Sequence, residues 1–388
     1  MVFYLSAFLA YLRFEESRTK SRYLSATILF LLGLLTKTVV ATLPGALLVL
    51  AWWRRGKISM REDVAPLLAW FALGLAAGLT TAWVERDWIG AAGADFSLTP
   101  LQHAVLAGRV AWFYLGKLLW PANLMFMYPR WNLGAEGPGQ LLYPVAALAA
   151  FLAAWGLRRR SRTPLAVALF FVGSLFPALG FVNVYPFVYS YAADHFQYIA
   201  SFGILTAFAA AAALVTRRLA SRMQRGAVVV GYALPALLGI LTFAQCGQYA
   251  DAETLYRTTL AKNPSCWMCW NNLGMISLAR GQTSTAMDQF QAALKINPRS
   301  AEAHNNVGNL LVKLGSVPQA VDQYEESIRL SPKYVLAHNN LGGALLFLGR
   351  YLEAKSEFET VLRLDPECEA AQANLKVALA MESDARPK

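Results

Sequence analysis

The residues best suited to chemistry in this sequence lie close together between positions 185 and 198. This segment joins six aromatic side chains to the carboxylate of Asp194, the imidazole of His195 and the amide of Gln197, and it ends at Tyr198. Aromatic rings that stack on sugars, beside an acid, an imidazole and an amide, would form a glycan site. The alternative is a belt of aromatic side chains at a membrane surface, with Asp194 capping the next helix.

A general base that activates an acceptor hydroxyl requires a carboxylate near that hydroxyl. Asp87 and Asp194 are the best placed of the candidates, and both also fit a solvated loop or a helix cap. The full set of candidate carboxylates is Glu85, Asp87, Asp95, Glu136 and Asp194.

Four cations are candidates for binding the phosphate or pyrophosphate of a lipid-linked donor. Lys37 lies at the apex of an apolar hairpin, and Arg109, Lys117 and Arg130 lie on one long polar and aromatic segment. A point charge at a membrane boundary suits this task. Long cationic side chains also anchor helices at the interface without binding a ligand, so that interpretation stays open for all four.

The elements that must position these residues are apolar runs of the length that crosses a bilayer. A shorter pair, 23–36 and 38–53, forms a hairpin that turns near Lys37, and residues 1–12 form a stub. The clearest predicted spans are 66–84, 141–157, 164–183, 196–216 and 226–245.

Four basic clusters mark the ends of these runs and predict the direction of insertion. Because positive residues are enriched on the cytoplasmic side, the connections between the clusters are predicted to lie outside. This topology places residues 85–140, 184–195 and everything after 246 outside the cytoplasm. The clusters are Arg13/Arg18/Lys20/Arg22, Arg54/Arg55/Lys57/Arg61, Arg158/Arg159/Arg160/Arg162 and Arg217/Arg218/Arg222/Arg225.

The apolar segment 104–120 does not fit this alternation, since a full crossing there would invert every later span. Arg109 and Lys117 are eight residues apart, roughly on one helical face, among several aromatic residues. We therefore expect a helix that lies in the outer interface, with a true span as the alternative.

The charge is divided unevenly between two parts of the chain. Residues 249–388 carry 14 Lys/Arg and 15 Asp/Glu, and the other 21 Lys/Arg and 9 Asp/Glu precede them. The net charge of +11 therefore accompanies the apolar runs and does not indicate nucleic-acid binding. The sequence predicts an all-α protein with a polytopic membrane domain, 1–246, followed by a second domain, 249–388.

The second domain repeats every 34 residues, which is typical of helix–turn–helix solenoids. Trp270-Asn-Asn-Leu-Gly recurs as His304-Asn-Asn-Val-Gly and His338-Asn-Asn-Leu-Gly, and an Ala/aromatic/Pro pattern recurs with it. The pattern resembles the tetratricopeptide repeat (TPR), with full repeats at about 267–300, 301–334 and 335–368 and a half-repeat on each side.

The first helices of such repeats line a groove that binds extended polypeptide. Paired amides recur there and could hold a peptide backbone, or one amide of each pair could be placed by packing alone. The pairs are Asn271/Asn272, Asn305/Asn306 and Asn339/Asn340. Cys266 and Cys269 have redox-like spacing, but no thioredoxin-like strand precedes them, so packing is favoured. The sequence predicts no metal site.

The sequence resembles the bacterial relatives of the transmembrane and TPR-containing O-mannosyltransferases. The resemblance lies in the hairpin Leu34-Leu-Thr-Lys37, the long segment from Arg109 to Trp131 and the run from Asp194 to Tyr198, which the repeats follow. That resemblance implies a bacterial inner-membrane enzyme of the GT-C class, with a polyprenyl-phosphate sugar as donor and protein Ser/Thr as acceptor. No certain cofactor is implied, and the partners are membrane lipid and a polypeptide.

This family carries its key acid in a first outward loop that has no counterpart in the sequence. We therefore expect an N-terminally truncated chain, with another carboxylate in that role or a loss of catalysis as alternatives. The competing hypothesis is a non-catalytic, membrane-anchored TPR scaffold that assembles envelope proteins.

Overall fold

The computed structural model describes residues 1–89, 91, 96–134 and 137–385, and every regular element in those ranges is a helix. Asp95 and Glu136, two of the candidate carboxylates, lie outside the described residues. The chain divides into two compact units, Met1–Phe243 and Ala244–Lys388. We call them the apolar unit and the repeat unit and describe each by itself.

The helices of the apolar unit differ widely in length, and short 3₁₀ or π turns lead into several of them. In chain order they are α1 (Val2–Ser17), α2 (Lys20–Thr36), α3 (Leu43–Arg55), α4 (Leu68–Trp83), α5 (Pro100–Leu119), α6 (Leu142–Leu157), α7 (Thr163–Leu175), α8 (Tyr198–Arg218) and α9 (Ser221–Cys246). α9 continues three residues into the repeat unit.

Among the described residues, four stretches are long and apolar enough to cross a membrane, judged by length and composition: Met60–Ile89, Pro138–Leu157, Asp194–Arg218 and Met223–Tyr249. They correspond to four of the five clearest predicted spans. The fifth prediction, 164–183, is too long, because the apolar helix ends at Ala178. Pro177 lacks a backbone N–H to continue the helix, and Gly180 adopts a left-handed φ of 88°.

The hairpin of α2 and α3 turns at Lys37, which has extended backbone and caps α2. A single short turn, Thr38–Thr42, links it to α3, where Pro44 lies in the first helical turn, a position that needs no N–H donor. A Cβ on Gly33 would come within 3.0 Å of Val40, so the hairpin closes tightly at this point.

Two long-range hydrogen bonds bring three of the four basic clusters to the same end of the apolar unit. Arg18, between α1 and α2, donates to the carbonyl of Glu62 at 2.8 Å. Arg162, before α7, donates to the carbonyl of Trp52 in α3 at 3.3 Å. This end is opposite to Lys37, since the two lie at opposite ends of α2.

The core around α1–α4 is built on the fully buried indole of Trp70. Its ring stacks on Phe30 at 4.4 Å between centroids and meets Tyr11 edge-on at 5.3 Å. The indole N–H donates to the Thr27 hydroxyl at 3.0 Å, so burial leaves no donor unpaired. A second core gathers α5, α7 and α8 with the loops between them.

α5 corresponds to the segment predicted to lie in the interface, and it is a continuous 20-residue helix with one buried face. Thr99 and Gln102 form a capping box at its start, which satisfies two terminal backbone donors. Gly108 allows the helix to contact the backbone of Pro144 at the start of α6.

The repeat unit consists of paired helices that follow the 34-residue period. Gly274, Gly308 and Gly342 each face an aromatic ring of the second helix, where an added Cβ would come within 2.5–2.6 Å of the ring. The helices are α10 (Ala252–Lys262), α11 (Trp267–Ala279), α12 (Thr283–Ile296), α13 (Ala301–Lys313), α14 (Val317–Leu330), α15 (Val335–Phe347), α16 (Tyr351–Leu364) and α17 (Glu369–Ala385).

Candidate functional site

A cavity of about 380 Å³ lies at the Lys37 end of the apolar unit. Its wall includes Lys37, Glu85 and His195, so an ammonium, a carboxylate and an imidazole share one space. The Glu85 carboxylate accepts a hydrogen bond from the backbone N–H of Tyr185 at 2.8 Å, across 100 residues of sequence. Tyr198 also contributes to the wall.

Two buried hydroxyls line the same cavity. Tyr4 and Ser174 are 2% and 3% exposed, and the hydroxyls of Thr42 and Ser174 lie near that of Tyr4. They therefore add hydrogen-bonding capacity to the cavity.

An apolar cavity of about 620 Å³ adjoins this polar one. Residues of α3, α4 and α7 line it, and the two cavities share wall residues. The shared residues are Thr38, Thr81, Glu85, Ser174, Pro177 and Val184. Together the two spaces join a few charged and polar groups to a mostly apolar lining, a combination that suits an amphiphilic molecule.

The carboxylate of Asp194 lies in a different environment from the adjacent His195. Asp194 accepts a hydrogen bond from the hydroxyl of Tyr128 at 2.7 Å. Burial, and then this hydrogen bond, raise the pKa of Tyr128, which keeps the phenol protonated as the donor. Tyr114 holds the preceding backbone, since its hydroxyl exchanges two 3.0 Å hydrogen bonds with Ala193.

Three predicted donor-binding cations lie against aromatic rings. The Lys117 ammonium lies 5.2 Å from the ring of Tyr128 and donates to the Ala122 carbonyl at 2.6 Å. Arg130 lies 5.2 Å from the ring of Tyr191, and Arg109 lies 4.6 Å from that of Trp131. All three are half-buried, and such contacts with ring faces stabilise the cations where they are.

The structure thus distributes the predicted site over two neighbourhoods. Lys37, His195 and Tyr198 line the cavity. Asp194, Arg109, Lys117 and Arg130 instead contact the aromatic side chains of Tyr128, Trp131 and Tyr191. Gln197 is buried and its side-chain oxygen has no partner among the described residues, and Asp87 is exposed on the turn that contains Glu85. Among the described residues, no group of three metal-ligating side chains comes together.

Glu85 lines the cavity, whereas the sequence ranked Asp87 and Asp194 ahead of it among the five candidate carboxylates. Its hydrogen bond to Tyr185, 100 positions away, and its place in the cavity wall depend on tertiary packing, and no local pattern reveals them.

In the repeat unit, the first helices of successive repeats pack directly on one another, α11 on α13 and α13 on α15, and more closely than the second helices do. The inner side of a curved solenoid is the side on which successive elements approach most closely. The first helices, and the recurring asparagines on them, therefore lie on the concave face.

These asparagines form a ladder with a step of 35 residues. Asn306 donates to Asn271 at 3.0 Å, and Asn340 donates to the side chain of Asn305 at 2.9 Å. Asn374 repeats the contact with Asn339 at 3.4 Å. Asn271, Asn305 and Asn339 accept these bonds from the next repeat, so their side chains make the same contact in each repeat.

The six asparagines differ in exposure from one repeat to the next. Asn271 and Asn305 are 3% and 2% exposed, whereas Asn272 and Asn340 are half-buried and reach the surface. Asn339 is half-buried and Asn306 is buried. Burial and packing therefore account for Asn271, Asn305 and Asn306, whereas Asn272, Asn339 and Asn340 reach the surface.

A second recurring contact joins each first helix to the proline that ends the preceding helix. The side chain of the fourth residue of each repeat donates a hydrogen bond to the carbonyl of the proline that lies six residues before it. The pairs are Trp270 with Pro264, His304 with Pro298, His338 with Pro332 and Gln372 with Pro366, at 3.0–3.1 Å.

His338 has acceptors on both sides of its ring. Nδ1 lies 2.6 Å from a carboxylate oxygen of Glu357, and Nε2 lies 3.1 Å from the carbonyl of Pro332. The protonated imidazolium donates to both. The hydrogen bond with Glu357 raises the pKa of His338 above its ordinary value of 6.5, although burial opposes the shift.

We predict that this pair makes the repeat unit less stable as the pH rises. Because the folded-state pKa is raised, the stabilisation is complete below about pH 6.5 and is lost as the pH rises through the folded-state value. Its size is about 1 kcal/mol, since the pair is partly screened by solvent. Urea unfolding of wild type and Glu357→Gln across this pH range measures the difference.

Glu357→Gln is a matched control, because it recreates the His304–Gln323 contact that occurs 34 residues earlier at 2.8 Å. The variant should show a flatter dependence of stability on pH than wild type. Equal slopes in the two proteins would contradict the prediction.

The geometry defines the C-terminal unit as a solenoid of helix pairs that follows an apolar helical unit. Comparison with protein families identifies the repeats as tetratricopeptide repeats: models described as "TPR repeat" and "Tetratricopeptide repeat" match residues 308–349, 241–301 and 335–368. These matches leave residues 1–240 uncovered and give no support to an O-mannosyltransferase relationship. A search of curated proteins finds no match.

Three of the solved structures similar to this chain cover between 28% and 37% of it. The second TPR domain of human RPAP3, in complex with an HSP70 peptide, is 25% identical, with a TM-score of 0.28, over 28% of this chain and 92% of that one. The TPR domain of Arabidopsis OM64 is 24% identical, with a TM-score of 0.29, over 29% and 94%. Pseudomonas aeruginosa PilF is 24% identical, with a TM-score of 0.33, over 37% and 66%.

Proposed function

We propose that this protein is a membrane-anchored scaffold whose TPR unit binds an extended polypeptide segment. The observation that carries the proposal is the asparagine ladder. Hydrogen bonds between repeats hold Asn271, Asn305 and Asn339 against the next repeat, and Asn272 and Asn340 on the same first helices reach the surface. A row of fixed amides is a surface that a peptide backbone can match.

The chemistry of an amide explains why an extended segment is the proposed ligand. The NH₂ groups of Asn306 and Asn340 are donated within the repeat unit, so the side-chain carbonyl oxygens of the exposed asparagines remain to accept backbone N–H groups of an extended peptide. Because Asn340 is already ordered by its contacts with Asn305 and Asn309, little of its side-chain entropy is lost when a peptide binds.

Anchoring of the protein in a membrane is supported by the four apolar stretches and by the location of three basic clusters at the same end of the apolar unit. Clusters at one end of the helices favour a cytoplasmic location for that end, so the polar cavity and the repeat unit are assigned to the opposite face. A bacterial inner membrane fits this arrangement, with lipid around the apolar unit and a protein partner at the repeats.

Peptide binding is tested with the full-length protein in detergent and an immobilised library of random linear peptides. The best peptide is then measured in solution by fluorescence anisotropy. We expect the double substitution Asn272→Ala/Asn340→Ala to weaken binding about tenfold or more, since each amide contributes on the order of one hydrogen bond.

Gln291→Ala is the matched control, because it removes an exposed amide from the second helix of the first full repeat. It should leave the dissociation constant unchanged, and thermal unfolding must show that both variants remain folded. If wild type captures no peptide, or if both variants weaken binding equally, the asparagine face is not the peptide site.

A second candidate function, sugar transfer from a polyprenyl-phosphate donor to protein hydroxyls, is favoured by the paired cavities of the apolar unit. The Lys37 ammonium suits a donor phosphate, the adjoining apolar space suits an isoprenoid chain, and the Glu85 carboxylate suits a general base. In this hypothesis Glu85 takes the role first assigned to Asp87 or Asp194.

The transferase hypothesis is tested by measuring transfer from a polyprenyl-phosphate-mannose donor to protein in membranes that contain the full chain. Glu85→Gln should reduce the rate on the order of 100-fold, as expected for loss of a general base. Asp87→Asn, two residues away and exposed, should have little effect. If the wild-type protein transfers no sugar but still binds peptide, the transferase hypothesis is rejected and only the scaffold function is retained.

A further inference from the structure

Cys266 and Cys269 lie at the start of α11, the first helix of the first full repeat, and are joined by a disulfide with 5.3 Å between their Cα atoms. They are 5% and 0% exposed. The expected packing of both side chains is therefore present, but the spacing alone did not indicate that they are bonded.

The position of Cys266 in the repeat shows that its sulfur replaces a capping hydroxyl. Its Sγ accepts a hydrogen bond from the backbone N–H of Cys269 at 3.3 Å. One repeat later, the Ser300 hydroxyl accepts from the N–H of Ala303 at 3.2 Å. A serine would therefore satisfy the helix terminus, and the cysteine adds a covalent bond across the first turn.

We propose that this pair is a modification site, oxidised outside the cytoplasm by thiol–disulfide exchange with a disulfide-bearing oxidant as the repeat unit folds. The thiolate of one cysteine attacks the oxidant's disulfide, forms a mixed disulfide and releases one thiol of the oxidant. The second thiolate then attacks the mixed bond. The pair loses two electrons and two protons, and the oxidant's disulfide becomes two thiols.

The burial of both sulfurs determines when this exchange takes place. A protein oxidant must bring its own disulfide into direct contact with one of the two cysteine sulfurs. In the folded repeat both sulfurs are covered by other residues. Exchange therefore precedes the packing of α11. Once the helix is packed, the same burial shields the bond from thiol reductants.

The compartment follows from the chemistry of disulfides and agrees with the charge pattern. Disulfides persist in oxidising compartments and are rare in the cytosol. The basic clusters independently assign residues after 246 to the non-cytoplasmic side. This inference does not rest on peptide binding or on sugar transfer, so it stands or falls separately from both proposed functions.

The test counts free thiols in the full-length protein taken from bacterial cells quenched in acid. Cys246→Ser/Cys368→Ser removes the two cysteines that are outside the pair. After denaturation, a maleimide that adds a fixed mass to each thiol is applied with and without prior reduction. We expect no added mass without reduction and two additions after it. Mass added without reduction in most of the protein would overturn the proposal.

A second measurement tests the order of oxidation and packing. In the native protein in detergent, a small thiol reductant should leave the pair intact, and the same reductant in urea should release both thiols. Rapid reduction of the native protein would contradict the proposed protection by burial.

Cys266→Ser/Cys269→Ala retains a capping hydroxyl, as at Ser300, and lacks only the covalent bond. It should unfold about 5 °C below wild type, the shift expected for a short disulfide loop. Unchanged unfolding would show that the bond does not stabilise the repeat.

Discussion

Gly342→Ala is expected to destabilise the TPR unit by about 2 kcal/mol or more, whereas Gly343→Ala, at the next residue, is expected to stabilise it slightly. A Cβ on Gly342 would lie 2.6 Å from the ring of Phe358, and because that ring is fully buried, it can shift only by displacing its neighbours. The close approach of α15 and α16 depends on the absence of that one carbon.

Gly343 provides the comparison within the same helix. A Cβ there meets nothing within 4 Å, so alanine only improves helix propensity, by about 0.5–1 kcal/mol. Pulse proteolysis of the full-length protein in increasing urea measures the midpoint at which the TPR unit becomes cleavable. Equal shifts of the urea midpoint in Gly342→Ala and Gly343→Ala would show that the contact with the Phe358 ring does not determine how α15 packs on α16.

Gly108→Ala is expected to prevent α5 from packing on α6, at a cost of about 3 kcal/mol. A Cβ at this position would come within 2.5 Å of the backbone nitrogen of Pro144 and 2.8 Å of its Cα. Because the obstruction is backbone and not a rotatable side chain, the helices must separate. The indole of Trp112 would then lose its 3.1 Å hydrogen bond to the Tyr143 carbonyl.

Gly116→Ala, on the same helix, is the matched substitution, because a Cβ there meets nothing within 4 Å. Size-exclusion chromatography in detergent gives the yield of monodisperse protein for each variant, and thermal unfolding gives the stability. We expect a much lower yield for Gly108→Ala alone. Equal yields and unfolding temperatures would mean that the two helices do not depend on this contact.

The TPR unit could be predicted in detail because its determinants are local and recur. The same glycine, alanine, aromatic and proline positions appear three times at a spacing of 34, and the structure places each glycine against its ring as expected. The inter-repeat hydrogen bonds of the asparagines were not predictable in the same way, since their donors and acceptors are 35 residues apart.

The apolar unit shows where hydropathy stops being informative. It located the long helices but not the end of α7, which proline and glycine determine. Adjacency in the sequence also suggested that Asp194 and His195 share one site. In the structure Asp194 accepts a hydrogen bond from Tyr128, whereas His195 lines the cavity. Contacts such as that of Glu85 with Tyr185 depend on tertiary packing, which hydrophobic periodicity does not encode.

The contacts at the proline carbonyls make the TPR unit modular at the level of whole repeats. Deletion of residues 301–334 would place His338 six positions after Pro298 and Asn340 35 positions after Asn271, so both kinds of junction would form again. Duplication of those residues would preserve them equally. The length of the groove is therefore free to change in steps of one repeat during evolution, while the chemistry of each junction stays the same.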